Sequence, residues 1–309
     1  MRSFSLKGFW SVLKDAFTGF SEDKVAKLGG SLAYFTLFSL GPMLLVAIFL
    51  AGIFLGRQAV EGSLYPQIQD LVGPDAAQQL QQLIKTAFAS KGGGAAAGIG
   101  IITLLVGATS VFSEIQDSIN TIWHLKIKPG SSWRRLLKNR LLAFGIIAGV
   151  GFLLLVSLAI SAIMEGIGKK LSALIPGLGA VLVYVASQAF TLLLAACLFA
   201  VIFKILPAAR LKWRDVWPGA IVTAILFMVG RFGISFYIST SDFGNTYGAA
   251  GSLVVLLVWV YYSSLILYFG AEFTKAYTRR FGSGIHPLGY ALLTVPPGTA
   301  SEQGRTGNP

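Results

Sequence analysis

The sequence predicts an all-α protein that crosses a membrane several times. Of its 309 residues, 54% are hydrophobic and only 12% are charged, about half the charge typical of a soluble globular protein. Several windows of about twenty residues carry almost no charge, which is long enough for a helix to cross a hydrocarbon core of roughly 30 Å. The windows are continuously apolar rather than alternating, which excludes the strands of a membrane barrel.

Six of these windows are predicted as membrane spans. They lie at about residues 32–55, 95–112, 141–164, 178–203, 217–238 and 251–271. With their loops they form one predicted transmembrane domain, residues 1–282. Residues 283–309 are rich in Pro, Gly and small polar residues, a composition that predicts a disordered cytoplasmic tail.

Two further helices are predicted outside the spans. Near the N-terminus, apolar residues recur at helical spacing, which is typical of a helix lying in the membrane interface: they are Leu6, Phe9, Trp10, Leu13 and Phe17. Ser21, Glu22 and Asp23 then resemble the start of another helix. Between spans 1 and 2, residues 76–88 keep helical apolar spacing within a polar segment, which predicts an amphipathic helix on the extracytoplasmic side.

The distribution of basic residues predicts the orientation. Nineteen Lys and Arg residues fall on the side that holds both termini, and five fall on the other side. By the positive-inside rule, both termini are predicted to be cytoplasmic. The net charge of +12 is thus explained by topology, and no binding of nucleic acid is expected.

Residue patterns for catalysis are sparse. The only two histidines are His124 and His286, and the chain has no P-loop, dinucleotide-binding glycine pattern or nucleophile elbow. We therefore expect no catalytic residue, metal or cofactor. A metal-dependent nuclease needs carboxylates that converge at a water-exposed surface. Glu114 and Asp117 share a helix face at i, i+3, but the predicted cytoplasmic loops add few other acids.

Arg231 is the basic residue within a predicted span. It lies fourteen residues after Trp217, or roughly 21 Å along a helix and about two-thirds of the way across. Its long side chain either reaches the outer interface or places its guanidinium in a cavity, where it would hold an anion, with Asp242 as a resting partner. At the end of the last span, the spacing of Glu272 and Lys275 predicts an ion pair at the interface.

A polar helix face follows the second span, between Glu114 and Asn120. The depth count places this stretch beyond the inner interface, so its acids need not lie in hydrocarbon. Two interpretations remain open. The face that carries Glu114 and Asp117 either opens onto a cavity or pairs with basic loop residues such as Lys204 and Arg210.

Four stretches stand out together, in this order: GGSLAYFTLFSLGPMLLV, EIQDSINTIWHL, ILPAARLKWRDVWPGA and YGAAGSLVVLLVWVYYSSLILYFGAEF. They resemble the YihY or BrkB-type family of bacterial inner-membrane proteins. The resemblance implies six spans, cytoplasmic termini and the bacterial plasma membrane. Members have carried labels of ribonuclease BN and of virulence factors, and transport of lipids or ions has been proposed for some. The resemblance supplies no catalytic residues.

These observations favour a transporter or flippase-like protein for an anionic amphiphile or an ion. Arg231 would attract the anion from the outer half, and Glu114, Asp117 and Asn120 would line the cytoplasmic mouth and exchange protons. Because no ATPase motif is present, the energy must come from a gradient or a partner. The alternative is a membrane organiser that does not transport and binds an envelope partner through residues 57–94. The residues give a ribonuclease the least support.

Overall fold

The computed structural model describes residues 6–39, 110–128, 178–241 and 251–294. Within these ranges the chain is mostly helical. In chain order the helices are α1 (Leu6–Glu22), α2 (residues 25–39), α3 (residues 110–122), α4 (Leu178–Ile205), α5 (Trp213–Thr240) and α6 (Gly251–Arg280).

Helices α4, α5 and α6 contain segments long and apolar enough to cross a membrane: Val183–Ile205, Trp213–Ile238 and Leu253–Arg280. They coincide with the fourth, fifth and sixth predicted spans, although the last helix continues beyond residue 271. Large apolar side chains such as Val185 and Phe236 are exposed on these helices, as expected of surfaces that face lipid. Most of the first three predicted spans, and the amphipathic helix predicted at 76–88, lie outside the described residues.

The chain divides into two compact units. The first comprises Met1–Val25, Gln116–Gly230 and Ile266–Pro309, and the second comprises Ala26–Ile115 and Arg231–Leu265. The first unit holds a core in which α1 packs along the last turns of α6. Its buried residues are Val12, Ala16, Phe269, Phe273 and Ala276. Because the buried positions of α1 recur every four residues, one face of this helix is fixed against α6.

The exposed face of α1 differs from the predicted one. Trp10 and Phe17, which the sequence assigns to the same apolar face as Phe9 and Leu13, are 70% and 61% exposed. Phe9 and Leu13 pack against the core with α6, and the largely exposed Phe17 keeps a ring contact there, 4.9 Å from the ring centre of Phe269. The face that carries Trp10 and Phe17 also carries the exposed Lys7 and Lys14, a combination of basic and aromatic residues that suits a membrane surface.

Helices α5 and α6 approach closely through glycine and threonine pairs. A Cβ atom added to Gly219 would overlap the Thr274 side chain, and one added to Gly270 would overlap the Thr223 side chain. Each threonine hydroxyl donates to the carbonyl of the glycine four residues earlier on its own helix, at 2.6 Å for Thr223 and 2.7 Å for Thr274. Small residues at four-residue spacing thus set the separation of two apolar helices.

Four short strands lie beside the helix ends of the first unit: β1 (Leu125–Ile127), β2 (Ala209–Arg210), β3 (His286–Pro287) and β4 (Ala291–Leu293). They form two antiparallel pairs, β1 with β4 and β2 with β3. The segment after α6 is therefore bound to the segment after α3 and to the connection between α4 and α5.

The strands correct the prediction of a disordered tail for residues 283–294. Backbone hydrogen bonds join Lys128 N to Tyr290 O, Leu288 N to Ala208 O, and Thr294 N to His124 O, at 2.8–3.0 Å. These pairings satisfy backbone groups that composition alone assigns to solvent. Residues 295–309 lie outside the described part of the chain.

The second unit contains α2, the first residues of α3 and parts of α5 and α6. Ser264 Oγ donates to Gly29 O at 3.2 Å, and the space around Gly29 is filled by Ser264, Leu265 and Tyr261. These contacts pack α2 against α6, with a glycine at the crossing.

Candidate functional site

A cluster of ionisable side chains lies inside the first unit, where the turn after α1, the end of α3 and helix α6 meet. It consists of Asp23, His124, Glu272 and Lys275. Glu272 is 0% exposed and Lys275 is 6% exposed. Charged residues are rarely buried to this degree without a partner, so the contacts of each group determine what the cluster can do.

Lys275 is the centre of the cluster. Its Nζ donates to Asp23 Oδ2 at 2.7 Å and to the carbonyl oxygen of Ile122 at 2.8 Å, and it lies 2.6 Å from Glu272 Oε2. An ammonium group has three donors, and three oxygens surround this one. The i, i+3 ion pair predicted for Glu272 and Lys275 is present, but it is buried.

Asp23 is positioned by the turn that ends α1. Its backbone N–H donates to Gly19 O at 2.8 Å, and the N–H of Lys24 donates to Ser21 O at 3.2 Å. Lys24 has a φ of 52°, the left-handed conformation that lets the chain reverse before α2 begins at residue 25. The turn places the Asp23 carboxylate beside Lys275, and a salt bridge of 2.7 Å joins the two side chains.

His124 closes α3 in a similar turn, with a φ of 53°. Its Nε2 lies 3.8 Å from Asp23 Oδ2. Burial lowers the pKa of His124 from the ordinary value of 6.5, and the positive charge of Lys275 lowers it further, whereas Asp23 acts in the opposite direction. His124 therefore favours the neutral form, and the charge balance of the cluster rests on one cation and two carboxylates.

The lowered pKa of His124 predicts a loss of stability in acid. The unfolded chain binds a proton on this residue more readily than the folded chain does, so stability is retained above the unfolded pKa of 6.5 and falls as the pH drops below it. We expect the unfolding temperature of His124→Asn to change less than that of the wild type as the pH is lowered from about 8 to about 5. Asparagine tolerates the left-handed backbone. An unchanged profile in the variant would contradict a role for His124.

Glu272 is held against the backbone of α1. A Cβ atom at Gly19 would overlap Glu272 Oε2, so only glycine at this position leaves room for the carboxyl group. Its Oε2 forms the ion pair with Lys275 at 2.6 Å. A fully buried carboxylate that shares its only cation among the described residues with a second carboxylate carries a large desolvation cost.

The other sequence-predicted residues lie elsewhere. Asn120 and Asp117 belong to the first unit, and Glu114 and Arg231 belong to the second. Asp117 and Arg231 are exposed, and Glu114 is partly buried. The guanidinium carbon of Arg231 lies 5.8 Å from the ring centre of Phe232, which follows it in the chain. Asp242 lies outside the described residues.

Asn120 has a structural contact. It is 3% exposed, and its Oδ1 accepts a hydrogen bond from the backbone N–H of Ala208 at 2.8 Å. Gln116, one turn earlier, donates to Leu206 O at 3.3 Å. Gln116 and Asn120 on α3 thus hold the connection between α4 and α5, on a different side of the helix from the exposed Asp117. Lys204, a partner suggested for this face, donates instead to Leu211 O.

This contact predicts a measurable loss of stability. Asn120→Ala removes the acceptor and leaves the buried N–H of Ala208 without it, at a cost of about 1–3 kcal/mol in the free energy of unfolding. Thr121→Ala is the matched control, because the Thr121 hydroxyl is exposed and donates to Asp117 O of its own helix. Equal unfolding temperatures for the two variants would show that the Asn120 contact adds no stability.

Sequence reasoning missed Asp23, Gly19 and His124 as parts of the cluster. The i, i+3 spacing of Glu272 and Lys275 was the only local signal, because the remaining members come from segments distant in the chain. Among the described residues, no group of three or more His, Cys, Asp or Glu side chains is placed to hold a metal ion.

Long apolar helices and a buried ionic cluster define a helical membrane protein, and the comparisons with known proteins agree. Residues 16–288 match the family model described as virulence factor BrkB, so the chain belongs to the BrkB family.

Three of the relatives that match it are called UPF0761 membrane proteins. One from Alteromonas mediterranea is 29% identical over 84% of this chain and 85% of its own length. One from Aeromonas salmonicida is 28% identical over 82% of this chain and 84% of its own length. A third, from Ralstonia nicotianae, is 29% identical over 81% of this chain, which spans about half (55%) of that protein. No solved structure matches the chain.

Proposed function

We propose that this protein is a transporter or flippase-like protein of the bacterial inner membrane that moves an anionic amphiphile or an ion. In the proposed topology it has six spans, an N-terminal helix at the interface, an amphipathic helix between spans 1 and 2, and both termini in the cytoplasm. The positive-inside count of nineteen against five supports this orientation.

The observation that carries the proposal is the buried cluster of Asp23, Glu272 and Lys275. Ionisable groups buried within a membrane protein are costly, and they commonly mark pathways for ions, protons or substrates. A role in packing alone would be served by apolar residues of similar size, often with equal or greater stability. In the proposed topology Glu272 follows the last span, which places the cluster toward the cytoplasmic end of the protein.

The exposed Arg231 supports an anionic substrate. It lies on α5 among exposed apolar side chains such as Phe232 and Val229. An arginine in such a setting can hold a phosphate or carboxylate group through its planar array of donors. The proposed pathway would take an anion past Arg231, with Glu114 and Asp117 toward the cytoplasmic mouth.

Reconstitution tests this assignment. We expect purified protein in liposomes to move a labelled anionic lipid between leaflets, and Arg231→Ala to abolish the movement. Lys27→Ala, which removes an exposed cation elsewhere in the second unit, is the matched control and should retain it. Full movement in the Arg231 variant would overturn the role of this arginine.

A membrane organiser that does not transport is the second candidate. The observation in its favour is that Lys275 binds three segments of the chain together, which is also what a purely structural ion cluster would do. The organiser would bind an envelope partner through residues 57–94, which lie outside the described residues. Crosslinking from that segment to a stoichiometric envelope protein, with no lipid movement in liposomes, would favour this candidate.

We propose no enzymatic role. RNA cleavage that co-purifies with the protein and disappears in the double variant Glu114→Ala/Asp117→Ala would contradict this proposal. Cleavage that survives both substitutions would identify a contaminating nuclease.

A further inference from the structure

The buried cluster has one negative charge more than it has positive charge. Asp23 and Glu272 contribute two carboxylates, Lys275 contributes one ammonium, and His124 favours the neutral form. Two further charged groups of the described residues act on His124, Glu22 and Arg279, with opposite signs, and both are exposed. An unbalanced buried charge is costly, so one more positive species is expected there.

Glu272 is the more deeply buried of the two carboxylates. It is completely buried, and its Oε2 lies 2.6 Å from Lys275 Nζ. Asp23 binds the same ammonium at 2.7 Å and keeps 11% of its side chain exposed. One ammonium thus serves two carboxylates, and the missing positive charge is expected beside Glu272, which has no contact with solvent.

The neighbours of Glu272 exclude larger ligands. A metal cation at its carboxylate would lie next to the ammonium of Lys275, 2.6 Å from Oε2, and the two charges would repel. An anion would meet two carboxylates, and Lys275 already has three oxygens around it. On the α1 side, the Glu272 carboxyl group lies so close to Gly19 that even an added methyl group would overlap it. A proton supplies the missing charge and needs no additional volume.

We propose that the Asp23 and Glu272 carboxylates share one exchangeable proton, which serves as the coupling ion of the protein. Two carboxylates held by one cation commonly bind a single proton between them. A proton from water adds to one carboxylate oxygen, the charge of the cluster changes from −1 to zero, and the new O–H becomes a donor within the site. Release reverses the step.

The partial exposure of Asp23 and His124 gives the proton a route. Their side chains are 11% and 13% exposed, whereas Glu272 has no exposed surface. His124 Nε2 lies 3.8 Å from Asp23 Oδ2. A proton entering from solvent would therefore reach Glu272 by way of Asp23, with His124 beside the entrance.

Infrared difference spectroscopy of the purified full-length protein in nanodiscs tests the shared proton directly. We expect the carbonyl stretching band of a protonated carboxylic acid at neutral pH in the wild type. Glu272→Gln, which preserves the shape of the protonated acid, should remove the band, and Asp23→Asn should shift it. Glu22→Gln is the matched control, because Glu22 is exposed on α1 beside Asp23, and it should leave the band unchanged.

The band is measured without any substrate, so this test is separate from the transport test, although the coupling role rests on the proposed function. Absence of the band in the wild type, or its persistence in Glu272→Gln, would overturn the shared proton even if the protein transports. A band that depends on Glu272 in a protein that moves no substrate would support the proton site and overturn the coupling role.

Discussion

Lys275→Met is expected to lower the free energy of unfolding by about 3–5 kcal/mol, because it leaves the carboxylates of Asp23 and Glu272 in the same buried site without their cation. The substitution also removes the hydrogen bond from the Lys275 ammonium to Ile122 O, which joins α6 to the end of α3. The unfolding temperature and the denaturant midpoint of the purified protein in detergent measure this loss. Lys14→Met, which removes an exposed lysine from α1, is the control and should have little effect.

Combining Lys275→Met with Glu272→Gln should recover part of the stability, because it removes one of the two uncompensated carboxylates. The recovery follows from the shared contact and would appear as a coupling energy between the two substitutions. If Lys275→Met is no less stable than Lys14→Met, the ion pairs described here do not hold the first unit together.

Gly219→Ala and Gly270→Ala are expected to destabilise the protein by about 1–3 kcal/mol or more, because each added methyl group overlaps a threonine of the facing helix. In an ordinary helix interior, exchanging glycine for alanine stabilises by about 0.5–1 kcal/mol. The sign of the effect therefore identifies the close approach of α5 and α6. Unfolding temperatures of the single variants provide the measurement.

Gly233→Ala is the matched control for Gly219→Ala on the same helix. Beyond the adjoining backbone of its own helix, no atom of the described residues lies within 4 Å of the position that its Cβ would take, so we expect the substitution to be neutral or stabilising. If Gly219→Ala stabilised the protein as much as Gly233→Ala did, α5 and α6 would not meet at this glycine.

Hydropathy predicts the long helices well, because a membrane imposes a length and a composition that are local in sequence. Helices α4, α5 and α6 coincide with three predicted spans for this reason. The contact of α5 with α6 was not predicted, although Gly219 and Thr223 on one helix repeat the spacing of Gly270 and Thr274 on the other. Such spacings are common in apolar helices, and only the fold shows which pair is used.

The site was predictable only where its members are close in sequence. The spacing of Glu272 and Lys275 indicates an ion pair, but Asp23 lies about 250 residues earlier and resembles an ordinary helix start. The strands after α6 were missed for a related reason. Each has two or three residues, too few for a periodic pattern, and their partners lie in separate segments. Asn120, which is predicted to line a pathway, also accepts a hydrogen bond from the buried backbone N–H of Ala208, a long-range contact that the sequence does not indicate.

The proposed role of the buried cluster in transport separates from a role in folding in one experiment on Glu272→Gln. Movement of a labelled anionic lipid by this variant in liposomes is measured together with the unfolding temperature of the same preparation. We expect a folded variant that has lost the movement, whereas Glu22→Gln keeps it. A folded Glu272→Gln protein that moves the lipid at the wild-type rate would show that the cluster has no part in transport.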